Sequence, residues 1–153
     1  MENKSTEKTM FGYTPQEYKK FSSHAWRCLL IFSFMYCCFY CIRMNLSNVS
    51  PVLIEQLGWT KEDVGILTSV FFWTYGVGQL INGRLSELFG SKQFLTFAVF
   101  ASIAVNFVFS FQTSLILMAV IWGVNGYVQS MAWPSGISLL AKWWPGRNFF
   151  TES

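Results

Sequence analysis

Arg43 is the residue around which any chemistry of this chain has to be built. It stands within a stretch from Cys28 to Ile54 that carries no other charge and is long enough to cross a bilayer. A guanidinium at that depth costs about 2.5 to 3.5 kcal/mol on insertion scales, so its presence implies a polar or anionic partner. The helical spacing around it agrees. Ser33, Tyr36, Tyr40, Arg43, Ser47 and Ser50 recur at steps of three and four and therefore share one face, with Phe34, Cys38, Ile42 and Val49 on the opposite side. A stripe of hydroxyls around an intramembrane cation suits the wall of a translocation pathway better than a lipid-facing anchor. The competing reading is structural, with Arg43 paired to backbone carbonyls or to another helix.

Other reactive side chains point to no catalytic chemistry. The four cysteines, Cys28, Cys37, Cys38 and Cys41, all fall in the same apolar stretch with no His or carboxylate beside them, so they read as small packing thiols and not as metal ligands. His24 is the single histidine. Without paired carboxylates, a nucleophile elbow or a glycine loop that cradles phosphate, the expectation is a protein that is not an enzyme and needs no metal or cofactor.

Composition describes the elements that must position Arg43. Apolar residues make up 52 % and charged residues 12 %, about half the charged share of a soluble domain, while Trp, Tyr and Phe reach 19 %. The net charge of +3 is spread without a basic cluster, so no nucleic-acid partner is expected. Four apolar runs can be drawn: Cys28 to about Ile54, Val64 to about Gly83, Phe94 to Phe111, and Leu115 to about Ala141. Each covers roughly the 30 Å hydrocarbon core, so the expected fold class is an all-α membrane protein with four transmembrane helices in contact with the lipid bilayer. Thr60-Lys61-Glu62-Asp63 reads as an N-cap followed by an acidic residue three positions later, the start of the second helix. Trp133-Pro134 is expected to kink the fourth. Gly76, Gly78, Gly123 and Gly126 are expected at close helix contacts, and Gln79, Asn82 and Gln129 either line a pathway or bond across helices.

Lys and Arg counts set an expected orientation. Lys4, Lys8, Lys19, Lys20, Arg27, Arg84, Lys92, Lys142 and Arg147 lie on one side, nine in all, against Lys61 alone on the other. By the positive-inside bias both termini are cytoplasmic, and the long polar lead with no small-residue cleavage pattern argues against a signal peptide.

Two segments carry a family resemblance. Gly83-Arg84-Leu85-Ser86-Glu87-Leu88-Phe89-Gly90-Ser91-Lys92 resembles the G-x-L-x-D-x-x-G-[RK]-[RK] signature of the major facilitator superfamily, with Glu87 where Asp is usual and Ser91 at the first basic position. The resemblance implies a cytoplasmic loop in which Gly83, Arg84, Glu87, Gly90 and Lys92 take part in gating. Tyr36 to Asn45 resembles the first helix of the organophosphate:phosphate antiporters, whose arginine contacts substrate phosphate with tyrosines nearby. Asn125-Gly126, Gln129, Trp133-Pro134 and Lys142-Trp143-Trp144-Pro145 are similar to that family's fourth helix and the loop after it. Met44 and Gln79 stand where the family or some of its members carry lysines, which leaves the anion site to the bidentate fork of Arg43.

The resemblance implies a transporter exchanging an organic phosphate for inorganic phosphate, with Arg43, Tyr36, Tyr40, Gln79 and Gln129 as substrate-binding residues, in a bacterial inner membrane. A membrane sensor of sugar phosphates, or a facilitator of other anions, is the alternative. A small four-helix multidrug exporter fits poorly, because such proteins use a membrane-embedded carboxylate where this chain has Arg43. The family is built of about twelve spans from three-helix inverted repeats. The expected organisation is therefore a cytoplasmic segment over 1–25, spans one to four of an N-terminal bundle over 26–145, and an atypical tail over 146–153, as in a truncated reading frame that lacks the C-terminal helices needed for transport. On a background with all four cysteines replaced, Leu88→Cys should react with an impermeant thiol reagent only from the cytoplasmic side, and Lys61→Cys only from outside. Labelling of position 88 in intact cells would reverse the orientation.

Overall fold

The computed structural model of the chain describes residues 15–143. These form α1 (Pro15–Leu57), α2 (Lys61–Phe89), α3 (Ser91–Phe109), α4 (Leu115–Ser130) and α5 (Ala132–Trp143). Among the described residues four stretches are long and apolar enough to cross a membrane, with α4 and most of α5 acting as one span, Leu115–Ala141. The all-α, four-span fold class is thus what the chain adopts.

The helices are longer than the apolar runs. α1 begins at Pro15, well before Cys28, and therefore enters the segment expected to be a separate N-terminal lead. Hydropathy marks where a helix is greasy, whereas a helix continues through polar residues until its backbone is capped. α2 shows the capping directly. Thr60 accepts from the Asp63 backbone N–H at 3.2 Å, and the Asp63 carboxylate accepts from the Thr60 N–H at 2.8 Å, so two orphan donors are satisfied reciprocally. The α2 to α3 connection is a single residue, Gly90, whose φ of +87° suits glycine. The signature segment expected to be a loop is therefore helical from Gly83 to Phe89, and only Gly90 lies outside a helix.

Two prolines inside spans are accommodated differently. Pro51 lies within α1, where it cannot donate to the Ser47 carbonyl. Ser50 Oγ donates to that carbonyl at 2.8 Å instead, and the helix continues. The fourth span breaks at Met131, between α4 and α5, one turn before Pro134. This is where a proline ring displaces the carbonyl four residues earlier, so the expected distortion falls on Ser130 and Met131 and not on Trp133-Pro134 themselves.

Packing follows a simple register. The buried apolar residues of α1 are Ala25, Phe32, Phe39, Leu46 and Leu53, seven residues apart, a spacing that keeps one line of side chains against the bundle. Phe32 and Phe39 join Leu95, Ala98, Met131 and Ala132 in one cluster. Leu46 and Leu53 join Leu67, Phe71, Met118 and Trp122 in a second. Arg43 lies in sequence between Phe39 and Leu46, so a polar layer separates the two clusters. The packed line runs beside the hydroxyl stripe: Tyr36, Arg43 and Ser50 are half-buried, whereas Ser33, Tyr40 and Ser47 are open, and Ile42, expected on the far side, is half-buried.

Close approach depends on particular glycines. α2 and α4 make the most extensive helix contact. A Cβ at Gly126 would sit 2.5 Å from the Phe71 carbonyl oxygen, one at Gly123 would meet Val70 at 2.9 Å, and one at Gly78 would collide with Ser130. A Cβ at Gly136 would overlap the Phe32 ring. Gly76, expected among these contacts, has nothing within 4 Å of its Cβ position and faces outward, because the packed face of α2 runs through Phe71, Gly78 and Asn82. Gly126→Leu should therefore lower the thermal stability of the detergent-solubilised chain by about 1 to 3 kcal/mol through overpacking, while Gly76→Leu leaves it unchanged or raised. Equal melting losses in the two variants would contradict this assignment of the α2–α4 seam.

Candidate functional site

A charge inside a four-span bundle must be answered by whatever its register brings opposite. Arg43 Nε and Nη2 both donate to Gln129 Oε1, at 3.4 and 3.3 Å, linking α1 to α4. Three rings surround the guanidinium: Tyr75 at 4.7 Å, Tyr40 at 5.0 Å and Phe71 at 5.1 Å from ring centroid to Cζ. Such contacts stabilise a cation by its attraction to the ring faces, about 0.5 to 2 kcal/mol each, without supplying a negative charge. Among the described residues no carboxylate pairs with Arg43. The arrangement therefore holds the cation in place and leaves its charge uncompensated.

Behind Gln129 lies a buried amide network. Its side chain is 1 % exposed, and its Nε2 donates to Ser102 Oγ at 3.4 Å and Asn125 Oδ1 at 3.5 Å. Ser102 Oγ and Asn106 Nδ2 donate to the same Asn125 oxygen at 3.0 and 3.1 Å. A second polar link ties α2 to α4 where Asn82 Nδ2 donates to Ser130 Oγ at 2.7 Å. In hydrocarbon such bonds hold helices together because no water competes for the groups.

Of the residues expected to bind substrate, Tyr40 and Gln129 touch Arg43, and Tyr36 and Gln79 stand one contact further out. Tyr36 stacks edge-on to Tyr40 with centroids 5.3 Å apart, and also meets Trp133. Gln79 Nε2 donates to the Tyr75 hydroxyl at 3.2 Å, which places it one residue removed from Arg43. Asn82, although a turn away, faces α4 and not this cluster. Tyr75, Phe71, Ser102, Asn106 and Asn125 were not singled out for this site by residue type alone. A signal for part of the set exists, since Ser102 and Asn106 on α3, and Asn125 and Gln129 on α4, are polar pairs at the i, i+4 spacing inside apolar spans.

The signature residues sit elsewhere. Arg84 and Glu87 form an exposed pair along one helix face at 3.3 Å, of a kind that contributes little to stability. Lys92 is exposed. Gly83 and Glu87 line a cleft of about 530 Å³ with Ser86, Trp133, Pro134 and Ser138, which brings the end of α2 to α5. Ser91, at the position where the signature has a basic residue, is buried and donates to Ser138 Oγ at 2.8 Å, so a hydroxyl joins α3 to α5 there. Trp144, Pro145 and the 146–153 tail lie outside the described residues, as do Lys4 and Lys8.

Comparison with known proteins adds to this geometry. Residues 32–149 match the family described as the Major Facilitator Superfamily. A probable hexose phosphate transport protein of Chlamydia pneumoniae is 29 % identical over 131 residues, covering 84 % of this chain and 29 % of that protein. The membrane sensor protein UhpC of Salmonella typhimurium is 30 % identical over 109 residues, 71 % of this chain and 25 % of its own length. The glycerol-3-phosphate transporter of Bacillus subtilis is 30 % identical over 112 residues, again 71 % and 25 %. The chain thus spans between a quarter and three tenths of the length of these relatives. No solved structure gives a significant match.

The Arg43–Gln129 link makes a quantitative prediction. Gln129→Leu leaves a half-buried cation without its acceptor and should destabilise the chain by about 2 kcal/mol, whereas adding Arg43→Leu removes both partners and should restore most of the loss. A double-mutant cycle on reversible unfolding in mixed micelles measures the coupling, and strictly additive effects would show that the two side chains do not interact.

Proposed function

Because this chain belongs to the major facilitator superfamily, we propose that it supplies spans of the N-terminal bundle of a secondary transporter that exchanges organic phosphates for inorganic phosphate. The observation that carries the reading is the uncompensated charge of Arg43, held at the centre of an integral membrane protein with a neutral amide as its acceptor. A phosphoryl group matches that guanidinium in charge and in shape, since one of its edges takes two phosphate oxygens at once. Tyr36, Tyr40 and Gln79 complete the seat with hydroxyl and amide groups, and Gln129 holds Arg43 in it. The relatives among sugar-phosphate and glycerol-phosphate transporters support the same substrate class.

Transport would proceed by rocking of this bundle against a second one, with the substrate held between them near the bilayer midplane. Both termini and the Gly83 to Lys92 segment face the cytoplasm in this reading. The Arg84–Glu87 pair and Lys92 then lie at the mouth of the bundle, where they take part in gating, and the host membrane is a bacterial inner membrane. The Salmonella relative named as a membrane sensor favours a second reading, in which the same anion site reports sugar phosphate to a partner without carrying it.

Two outcomes are expected. Reconstituted alone, the 153-residue chain should show no phosphate-dependent uptake of labelled glucose-6-phosphate above empty liposomes, because the proposed mechanism needs a second bundle to rock against; saturable exchange would mean that four spans suffice. Joined to the remaining spans of the chlamydial relative, the chain should support exchange, and Arg43→Lys in that chimera should reduce it at least tenfold with normal insertion, since a point charge replaces a fork. Undiminished exchange by the lysine variant would remove Arg43 from the site. Ligand binding with signalling and no flux would select the sensor.

A further inference from the structure

The amide network behind Gln129 contains an imbalance. Asn125 Oδ1 receives three donors, from Ser102, Asn106 and Gln129. Its Nδ2 is buried without any partner. An orphaned buried donor carries a penalty comparable to a lost hydrogen bond. Turning the Asn125 amide over would not relieve it, because the NH2 would then oppose the amide NH2 groups of Asn106 and Gln129, which are donors as well. Asn106 is itself fixed, its Nδ2 donating to the Ser102 carbonyl at 2.8 Å, so α3 alone forces the orientation of Asn125, and the cost is tolerated.

That orientation determines the next one. The Gln129 NH2 is tied inward, to Asn125 Oδ1 and Ser102 Oγ. Its carbonyl oxygen can then only point outward, onto Nε and Nη2 of Arg43. A guanidinium has five N–H donors on three edges. With the Nε and Nη2 edge turned toward Gln129, and with Tyr40, Phe71 and Tyr75 about the guanidinium, what remains is the edge formed by Nη1 and the second hydrogen of Nη2. That edge is a fork for two oxygens.

We infer that Asn125 is a positioning residue of the anion site: acting through Gln129, it turns one edge of Arg43 inward and leaves the Nη1 edge as the fork offered to a phosphoryl group. The inference rests on the reading of Arg43 as the anion-binding group. Asn125 itself does not touch the anion. Its effect is on the angle at which the guanidinium is presented, and angular error in a bidentate contact loses one of its two bonds.

The test uses the full 153-residue chain in lipid nanodiscs, with inorganic phosphate as the probe and the Arg43 Nε–H resonance as a second, ligand-free readout. Asn125→Leu should move that resonance to the position of a freely rotating arginine and weaken phosphate binding roughly tenfold, the worth of one hydrogen bond to a charged group. Asn125→Asp keeps the acceptor and has no donor to orphan, so it should retain the resonance, which loss of packing alone would not explain. Ser102→Ala, which removes one bond to Asn125 and one to Gln129 at small volume cost, should shift the resonance part of the way and serves if the leucine variant does not fold. Wild-type resonance and affinity in Asn125→Leu, or in Ser102→Ala should it be the one that folds, would overturn the positioning role while leaving the anion site standing. Absence of any phosphate binding by the unaltered chain, even with the resonance shifts as described, would overturn the anion site and the role of Asn125 in it together.

Discussion

A single positive charge held at the depth of the hydrocarbon governs how this bundle is built. Such a charge is tolerated only where it is shielded from lipid and given hydrogen-bond acceptors. Arg43, half-buried on α1 between Phe39 and Leu46, has three aromatic rings about it and Gln129 as its acceptor. The polar layer at that level draws on α1, α3 and α4 through Arg43, Ser102, Asn106, Asn125 and Gln129, and α2 contributes rings in place of acceptors. Lipid supplies little hydrophobic force between helices, so these contacts and the fit of small residues hold the spans together.

The fit of small residues is what brings the rings to the charge. Gly123 and Gly126 allow α4 to lie against the backbone of α2 at Val70, Phe71 and Thr74. Phe71 and Tyr75, one turn apart on the same face of α2, then stand about 5 Å from the Arg43 guanidinium, as the centroid distances of 5.1 and 4.7 Å record. Gln129 lies one turn along α4 from Gly126 and reaches the same group from the other side. Glycine, aromatic and amide thus form one chain of cause: remove the close approach and the cation loses its enclosure.

Much of this was legible in the residues. The lone Arg43 with its tyrosines, the four spans, the Thr60 capping box and the helix distortion before Pro134 all follow from local rules, because each depends on residues within a turn or two. The rest depends on which faces meet. Gly76 and Gly78 are two residues apart and chemically identical, yet only Gly78 lies against another helix, and no local rule separates them. The pairing of Arg43 with Gln129 spans 86 residues and requires the crossing of α1 over the fourth span. Ser91 illustrates the same limit, since its departure from a basic signature position becomes intelligible only beside Ser138 on α5. The i, i+4 pairs Ser102 with Asn106 and Asn125 with Gln129 are a pattern in the sequence that went unread, and their convergence on one oxygen depends on how α3 meets α4.

If Arg43 is the anion site, phosphate bound to the chain must lie against its guanidinium. A magic-angle-spinning experiment on the chain with its arginine nitrogens labelled, saturated with inorganic phosphate in lipid bilayers, reads the distance from phosphorus to the Arg43 guanidinium. Charge-assisted bonds from Nη1 and Nη2 to phosphate oxygens place phosphorus at about 4 Å from both nitrogens. Dephasing that fits that distance, and that disappears in Arg43→Lys, is the expected result; phosphate bound to the chain with no measurable coupling to Arg43 would contradict the account.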